Sequence, residues 1–211
     1  MHKYIFMGIQ GSGKSTQAKM LMDDYDLVHI SVGDIFRWNI QMHTKLGARV
    51  RRIIDEGKLV SDDIVEEIVR DRLDIHDWNY GFILDGFPRN HPQAEFFLES
   101  YDVDAIVHIE VPDDEILRRI DARRLCDSCG LDYNLIEHRS KVEDKCDVCG
   151  GRLVRRPDDE ESAARQRMQD YHEKTRPILE VFARKELAIM VDGQKKPDEI
   201  QAEIRSRLGL E

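Results

Sequence analysis

The chain has 211 residues and a formal net charge of −10 at pH 7, with 42 acidic and 32 basic side chains. This length suits one globular domain with insertions. The acidic balance argues against a protein that holds nucleic acid or an anionic membrane over a broad face. The sequence shows neither a signal segment nor the roughly 18-residue apolar run of a membrane span, so we expect a cytoplasmic protein.

The first predicted strand, Tyr4-Ile5-Phe6, leads into a glycine-rich loop and then a helix to about residue 25. Gly8, Gly13, Lys14 and Ser15 fill every fixed position of the pattern G-x-x-x-x-G-K-[ST]. Glycine lets backbone N–H groups and the helix N-terminus converge on a polyphosphate. We therefore predict that Lys14 contacts the outer phosphates of a nucleotide and that the Ser15 hydroxyl lies near Mg²⁺. The alternative is a glycine-rich turn that matches all four positions by accident.

Four further apolar runs predict short strands that end in polar or glycine-containing segments: residues 28–32, 81–85, 105–111 and 188–191. Helical patterns separate them, which predicts an α/β fold with a five-stranded parallel sheet and ligands at its carboxyl edge. The long helix from about residue 159 should kink near Pro177, because proline removes a backbone donor. Two inserts interrupt the alternation, a mostly helical one at 32–60 and one at 123–157.

The second insert contains all four cysteines, in two C-x₂-C pairs separated by 16 residues. Each pair is followed by glycine, which permits a tight turn around a metal ion. The spacing suits a structural zinc ion held by four thiolates, although two unrelated pairs or a redox pair are alternatives. His138 is expected to be a solvated loop residue rather than a ligand. The predicted ligands are Cys126, Cys129, Cys146 and Cys149.

Six arginines lie at strand ends, at insert hinges or on the adjacent helix: Arg37, Arg89, Arg119, Arg123, Arg156 and Arg167. Guanidinium groups donate bidentately to phosphate, although any one of these could be a solvated surface residue. Arg119 and Arg123 stand four residues apart, so we expect both on one helical face. Asp85 ends a strand where a carboxylate can hold Mg²⁺ through water, unless it is only a turn residue. Asp158 and Asp159 either cap the following helix or take part in the site.

At these residues the chain resembles the adenylate kinases of the long-lid, zinc-containing bacterial kind, over essentially its whole length. The resemblance is carried by the phosphate loop with Thr16, by His29-Ile30-Ser31-Val32-Gly33-Asp34, by Gly57-Lys58-Leu59-Val60, by Asp85-Gly86-Phe87-Pro88-Arg89 with Gln93, and by Arg156-x-Asp158-Asp159. It implies a P-loop NTPase fold with a core (1–31, 61–122 and 158–211), a helical domain that binds the nucleoside monophosphate (32–60) and a zinc-binding lid (123–157).

The resemblance also implies an activity: a monomeric enzyme transfers a phosphoryl group reversibly from MgATP to AMP, giving two ADP, while closure excludes water. The work is alignment and charge neutralisation rather than base catalysis. The catalytic residues that it implies are Lys14, Asp85, Arg89, Arg123, Arg156 and Arg167. ATP would contact Gly11, Ser12, Gly13, Lys14, Ser15, Thr16, Arg119 and Arg123. AMP would contact Val32, Arg37, Leu59, Val60, Gly86, Arg89, Gln93, Arg156 and Arg167.

Three residues depart from the usual family pattern: Ser15 replaces glycine, Val32 replaces threonine, and Asn90 follows Arg89 as in the UMP/CMP kinases. Valine cannot hydrogen-bond a base, so a UMP/CMP or broad-specificity kinase is the alternative. Gln93 and the metal-bearing lid favour adenylate kinase. A remote alternative is a nucleotide-dependent switch whose cysteine insert grips nucleic acid. The acidic charge and the single aromatic residue of the insert, Tyr133, argue against it.

Overall fold

The computed structural model describes residues 2–77, 80–136 and 138–210. In chain order, its strands are β1 (Lys3–Met7), β2 (Val28–Ser31), β3 (Phe82–Asp85), β4 (Ala105–Glu110), β5 (Arg123–Cys126), β6 (Asp132–Asn134), β7 (Leu153–Val154) and β8 (Ala188–Asp192). Five of them form a parallel sheet in the order β2-β3-β1-β4-β8, and β6-β5-β7 form a separate antiparallel sheet. The predicted α/β fold with a five-stranded parallel sheet is confirmed.

The helices are α1 (Lys14–Tyr25), α2 (Val32–Gln41), α3 (Lys45–Asp55), α4 (Asp62–Asp74), α5 (His91–Ser100), α6 (Asp113–Ala122), α7 (Glu161–Asp170), α8 (Leu179–Ala183) and α9 (Pro197–Leu208). The first insert is helical as predicted, but β2 ends earlier than expected. Ser31 Oγ accepts a hydrogen bond from Asp34 N–H, and this N-cap begins α2 at Val32. Thr44 Oγ1 caps α3 through Gly47 N–H, which divides the insert into two helices.

Apolar layers cover both faces of the large sheet. Ile5 and Met7 of β1 pack with residues of α4 and α5 on one face, whereas Tyr4 and Phe6 pack with residues of α1 and α9 on the other. Burial on both faces explains why the strands are continuous apolar runs rather than alternating ones. The parallel strands therefore bring their carboxyl ends, and the polar residues after them, to one edge. No helix within the described residues has the length and apolar character needed to cross a membrane.

The long helical segment after residue 159 is interrupted, as predicted. α7 ends at Asp170, a π-helical turn covers Tyr171–Thr175, and a short 3₁₀ turn over Arg176–Ile178 contains the proline. The interruption points Thr175 towards the sheet edge, where its hydroxyl donates to the carbonyl of Arg89 at 2.7 Å. The kink therefore supports the backbone of a predicted site residue.

The second insert begins where α6 ends at Ala122. The expectation that Arg119 and Arg123 share a helical face is wrong, because Arg123 has an extended backbone (φ −72°, ψ 139°) and begins β5. Arg123 pairs there with Asn134 of β6. The long-range strand pairing ends the helix one residue before the second arginine and turns its side chain in a different direction.

Candidate active site

The loop between β1 and α1 is shaped by its glycines. Gly8, Gly11 and Gly13 have φ angles of 146°, 92° and 91°, which L-residues with side chains rarely adopt. A Cβ on Gly8 would also lie 2.7 Å from the carbonyl oxygen of Ile109. Gly13 is the N-cap of α1 and has no side chain to cap the first turn. The first N–H groups of α1 are thus available to an anion, as the pattern predicts.

Lys14 lies on the first turn of α1 and lines a pocket above the loop. Burial lowers its pKa to about 8; the carboxylate of Asp85 opposes this shift, and the charges of Arg89, Arg123 and Arg37 reinforce it. The lysine is therefore surrounded by more positive than negative charge. Such a cluster of cations favours the binding of a polyanion.

Asp85 at the end of β3 binds a residue of α1 and a residue of β2. Ser15 Oγ donates to Asp85 Oδ2 at 2.5 Å, and His29 Nε2 lies 3.3 Å from the same oxygen. Burial disfavours the carboxylate, but His29, Lys14 and Ser15 stabilise it and lower the pKa of Asp85 to about 2. Within the described residues, Asp85 Oδ1 is buried without a hydrogen-bond partner. An orphaned carboxylate oxygen beside a hydroxyl suits the oxygen ligands that Mg²⁺ prefers.

The depressed pKa of Asp85 predicts a pH-dependent contribution to stability in the nucleotide-free, Mg²⁺-free protein. The folded pKa of about 2 lies below the ordinary 3.8, so the contribution of about 2 kcal/mol is present above pH 4 and is lost as the pH falls towards 2. In urea titrations, D85N should therefore be less stable than the original protein at pH 7, and the gap should narrow from pH 4 to pH 3. A gap that stays constant over this range would contradict the prediction.

Five site arginines are paired with acids, one of them Arg119 with Glu115. Arg123 binds both carboxylate oxygens of Asp159, with Nε to Oδ2 at 2.8 Å, and Arg167 Nη2 lies 2.9 Å from Asp158 Oδ2. The other two pairs are Arg156 with Asp132 and Arg37 with Asp34. The interpretation of Asp158 and Asp159 as helix caps is wrong, because α7 has Glu160 as its N-cap, and both acids bind arginines instead.

Gln10 and Arg167 connect three parts of the chain. Gln10 in the phosphate loop donates through Nε2 to Asp159 Oδ1 at 2.9 Å and accepts a hydrogen bond from Arg167. Arg167 on α7 also donates to the carbonyl of Ile54 in the first insert at 3.1 Å. No sequence pattern indicated the roles of Gln10, His29 and Asp132, because their partners lie 24 to 157 positions away.

The remaining predicted ATP residues lie beside the loop. α6 packs on Gly11, where an added Cβ would lie 3.1 Å from Ile120, and this helix carries Arg119 next to the loop. The Arg119 guanidinium is buried and donates through Nε to Glu115 at 2.8 Å. Ser12 is fully buried, whereas Thr16 is exposed.

Two adjoining pockets lie at this edge of the sheet and share Gln10, Leu59, Gly86, Arg89 and Arg167. The first contains the phosphate loop and Lys14. The second brings together predicted AMP residues from separate parts of the chain, namely Val32, Arg37, Leu59, Val60, Gly86, Arg89 and Gln93. Burial lowers the pKa of Arg89 to about 10; the charges of Arg167 and Arg37 add to this shift, and the carboxylates of Asp85 and Asp158 oppose it. The geometry therefore provides two anion sites that meet at shared arginines.

Comparison with known proteins agrees with this geometry. The model of the adenylate kinase family matches residues 6–187, most of the chain. The chain belongs to the adenylate kinase family. It is 40% identical to an adenylate kinase of Methanocella arvoryzae, with 98% of both chains covered. It is 41% identical to an adenylate kinase of Caldicellulosiruptor bescii (99% of this chain, 100% of the relative) and 42% identical to one of Clostridium tetani (97% of both).

Membership of the adenylate kinase family confirms the predicted fold, and the enzyme is a nucleoside monophosphate kinase. The second insert of this kinase gathers the four cysteines into one cluster. Their Sγ atoms lie within 4.8 Å of one another. The Cys126–Cys149 and Cys129–Cys146 sulfur distances are 3.4 and 3.6 Å, near the roughly 3.8 Å expected around a tetrahedral zinc ion.

The turns around the cluster have the predicted form. Gly130 and Gly150 have φ angles of 75° and 72°, and each donates its N–H to the carbonyl of the first cysteine of its pair, at 3.0 and 2.9 Å. The Tyr133 hydroxyl donates to Cys146 Sγ at 3.4 Å and is the main cause of the lowered pKa of that thiol. His138 is not part of the cluster found among the described residues, and its ring packs against Tyr133. Four thiols in this arrangement fit a metal ion.

Proposed function

We propose that the enzyme transfers a phosphoryl group reversibly from MgATP to AMP, giving two molecules of ADP. The observation that carries this proposal is the convergence of four basic side chains on two joined pockets at the phosphate loop: Lys14, Arg37, Arg89 and Arg167. The charge of Arg123 also acts on Lys14, and the charges of Arg123 and Arg37 act on Arg156. Two anionic substrates fit one site only if such a group of cations lies between them. The family relationship supports AMP as the acceptor.

Each part of the site has a role in this proposal. The N–H groups of Gly11, Gly13 and the first turn of α1 hold the ATP phosphates, with Ser15 and Thr16 at that turn and Arg119 beside the base. The N–H of Ser12 donates to the carbonyl of Ile9 at 3.1 Å, so Ser12 helps to shape the loop around the phosphates. Lys14 steadies the transferred group, and Arg37 and Arg89 hold the monophosphate. Arg123, Arg156 and Arg167 neutralise the charge that spreads over the phosphoryl oxygens. No general base is required, because catalysis of this transfer is mainly alignment and electrostatic stabilisation.

The second pocket suits the nucleoside of AMP. Its walls include Val32, Leu59, Val60 and Gly86, and Gln93 supplies a buried carboxamide. Asn90, which suggested a pyrimidine kinase, has a different task here: its Oδ1 caps α5 by accepting Gln93 N–H at 3.0 Å. The resemblance to UMP/CMP kinases at this position therefore gives little support to a pyrimidine acceptor.

Two metal ions complete the proposal. Ser15 and Asp85 would hold Mg²⁺, which neutralises phosphate charge when bound with ATP. The four cysteines would hold a structural zinc ion in the insert formed by residues 123–157. This insert acts as a lid and residues 32–60 act as the monophosphate domain; their closure brings in Arg123 and Arg156 and excludes water from the phosphoryl group. The core comprises residues 1–31, 61–122 and 158–211.

We also propose that the enzyme acts as a monomer in the cytoplasm. The pocket residues of both substrates come from one chain, so a second copy is not needed to complete the site. Free thiols gathered to share a metal ion suit a reducing compartment. Gel filtration coupled to light scattering, with and without nucleotides, tests the monomer against the mass of one chain.

The deciding measurement is the initial rate of ADP formation from MgATP with AMP, CMP, UMP or GMP as acceptor. We expect a rate that depends on AMP and exceeds the rates with the other acceptors. Faster use of CMP or UMP would move the assignment to a pyrimidine kinase. ATP hydrolysis that is indifferent to every acceptor would instead favour a nucleotide-dependent switch.

A further inference from the structure

The carboxamide of Gln93 is held at both ends by the protein. Its Nε2 donates to Asp62 Oδ1 at 2.7 Å, and its Oε1 accepts the backbone N–H of Arg89 at 2.8 Å. Asn90 Nδ2 donates to the same oxygen of Asp62, also at 2.7 Å. Gln93 is only 1% exposed, so water does not compete strongly for these bonds. The side chain is therefore fixed in position while it forms part of the pocket wall.

The chemistry of these partners also determines the orientation of the amide, with its NH₂ group towards Asp62 and its oxygen towards the Arg89 N–H. The ionised carboxylate of Asp62 only accepts hydrogen bonds, and the Arg89 N–H only donates. A rotation of the amide by 180° would set oxygen against carboxylate and NH₂ against N–H, leaving buried polar groups unsatisfied. In the fixed orientation, one N–H of Nε2 and one lone pair of Oε1 remain for a ligand.

A fixed amide distinguishes two classes of nucleobase. Adenine and cytosine present a ring nitrogen that accepts next to an amino group that donates. Guanine and uracil present the reverse, a ring N–H that donates next to a carbonyl that accepts. An amide held in one orientation matches one class and leaves unpaired groups against the other, which is the kind of mismatch that binding sites reject most strongly.

We propose that Asp62 is a positioning residue that fixes the Gln93 carboxamide so that the monophosphate pocket accepts an amino base and rejects an oxo base. The inference rests on the proposed function of this pocket. It also accounts for the departure at Val32, which is buried in the pocket wall and offers the base no hydrogen bond. Base discrimination in this chain then depends on Gln93, and through it on Asp62.

The test compares D62N with D63N. An asparagine side chain matches the size of aspartate but can either donate or accept, so the first substitution removes the preference for one amide orientation. Asp63 is the next residue in the first turn of α4, is exposed, and controls for loss of a negative charge at that helix start. For both variants, kcat and KM are measured with AMP and GMP at saturating MgATP, together with KM for ATP.

In D62N we expect the ratio of kcat/KM for AMP to that for GMP to fall about tenfold or more. The loss for AMP should lie mainly in KM, with KM for ATP unchanged, and D63N should keep the original ratio. The stabilisation of each protein against heat by AMP and by GMP gives a second readout that does not depend on turnover. The preference for AMP in this readout should also shrink in D62N alone.

An unchanged AMP-to-GMP ratio in D62N would overturn the positioning role while leaving the proposed function intact. An equal loss of kcat/KM for both acceptors would overturn it as well, because that result indicates only a structural role for Asp62. A preference of the unmodified enzyme for GMP over AMP would overturn both the positioning role and the proposed acceptor.

Discussion

Replacement of Lys14 by methionine is expected to lower kcat about a thousandfold. The ammonium group lies at the phosphate loop among the charges of Arg89, Arg123 and Arg37. Methionine keeps most of the length of the side chain but removes the charge that would follow the phosphoryl group during transfer. Initial rates of ADP formation at saturating ATP and AMP measure the loss.

The same substitution should not destabilise the fold. Burial and the nearby arginines lower the pKa of Lys14 from 10.5 to about 8. The lysine is still mostly charged at pH 7, but holding that charge costs the folded protein free energy. Removal of that charge should leave the free energy of unfolding unchanged or raise it by about 3 kcal/mol. K185M, at an exposed lysine, is the control and should change neither property. A K14M protein that keeps a tenth of kcat, or that unfolds more easily, would contradict the prediction.

Removal of the bound metal is expected to unfold the second insert. The buried cluster of this insert consists of Cys126, Tyr133, Cys146 and Leu153, so half of its members are predicted metal ligands. Without the ion little apolar core is left, and zinc in such a site contributes on the order of 10–16 kcal/mol. We expect a chelator, or the substitution C146S, to lower the first unfolding temperature by about 10 °C or more. Differential scanning calorimetry with metal analysis of the same samples measures this.

Two controls distinguish the effect of metal loss on the insert from a general loss of stability. V148S changes the same knuckle as C146S, at a side chain that is 76% exposed, and it should leave both metal content and melting unchanged. Binding of an ATP analogue to the phosphate loop should survive metal removal. The loop follows β1, which belongs to the five-stranded sheet and not to the three-stranded sheet of the second insert. Unchanged melting after verified loss of metal would show that the insert folds without the ion.

Apolar strands and glycine-dependent turns were the parts that the sequence could predict. β1 and β4 are buried on both faces, so their runs of apolar residues were enough to predict them as strands. The phosphate loop and the cysteine knuckles were equally visible, because their geometry requires particular residues at fixed local positions. Such features depend on neighbours within a few residues, which is the range over which a pattern is informative.

The incorrect predictions concern interactions between distant residues. The position of Arg123 depends on its pairing with Asn134 in β6, and no helical pattern contains that information. Gln10 binds Asp159 and Arg167, 149 and 157 positions away, and Gln93 binds Asp62, 31 positions away. The sequence therefore identified the basic side chains of the site, but it did not indicate which acids and amides bind them.

The acids bound to the site arginines stay beside the site while substrates and products come and go. When Arg123 binds a phosphate instead of Asp159, or Arg167 binds one instead of Asp158, the carboxylate is left unpaired beside an anionic product. We expect repulsion from that carboxylate to shorten the residence time of the product, because the carboxylate also competes for the guanidinium that the product occupies. The cleft would then behave as an ion exchanger, in which the acids that bind arginines in the empty site also help to release the product.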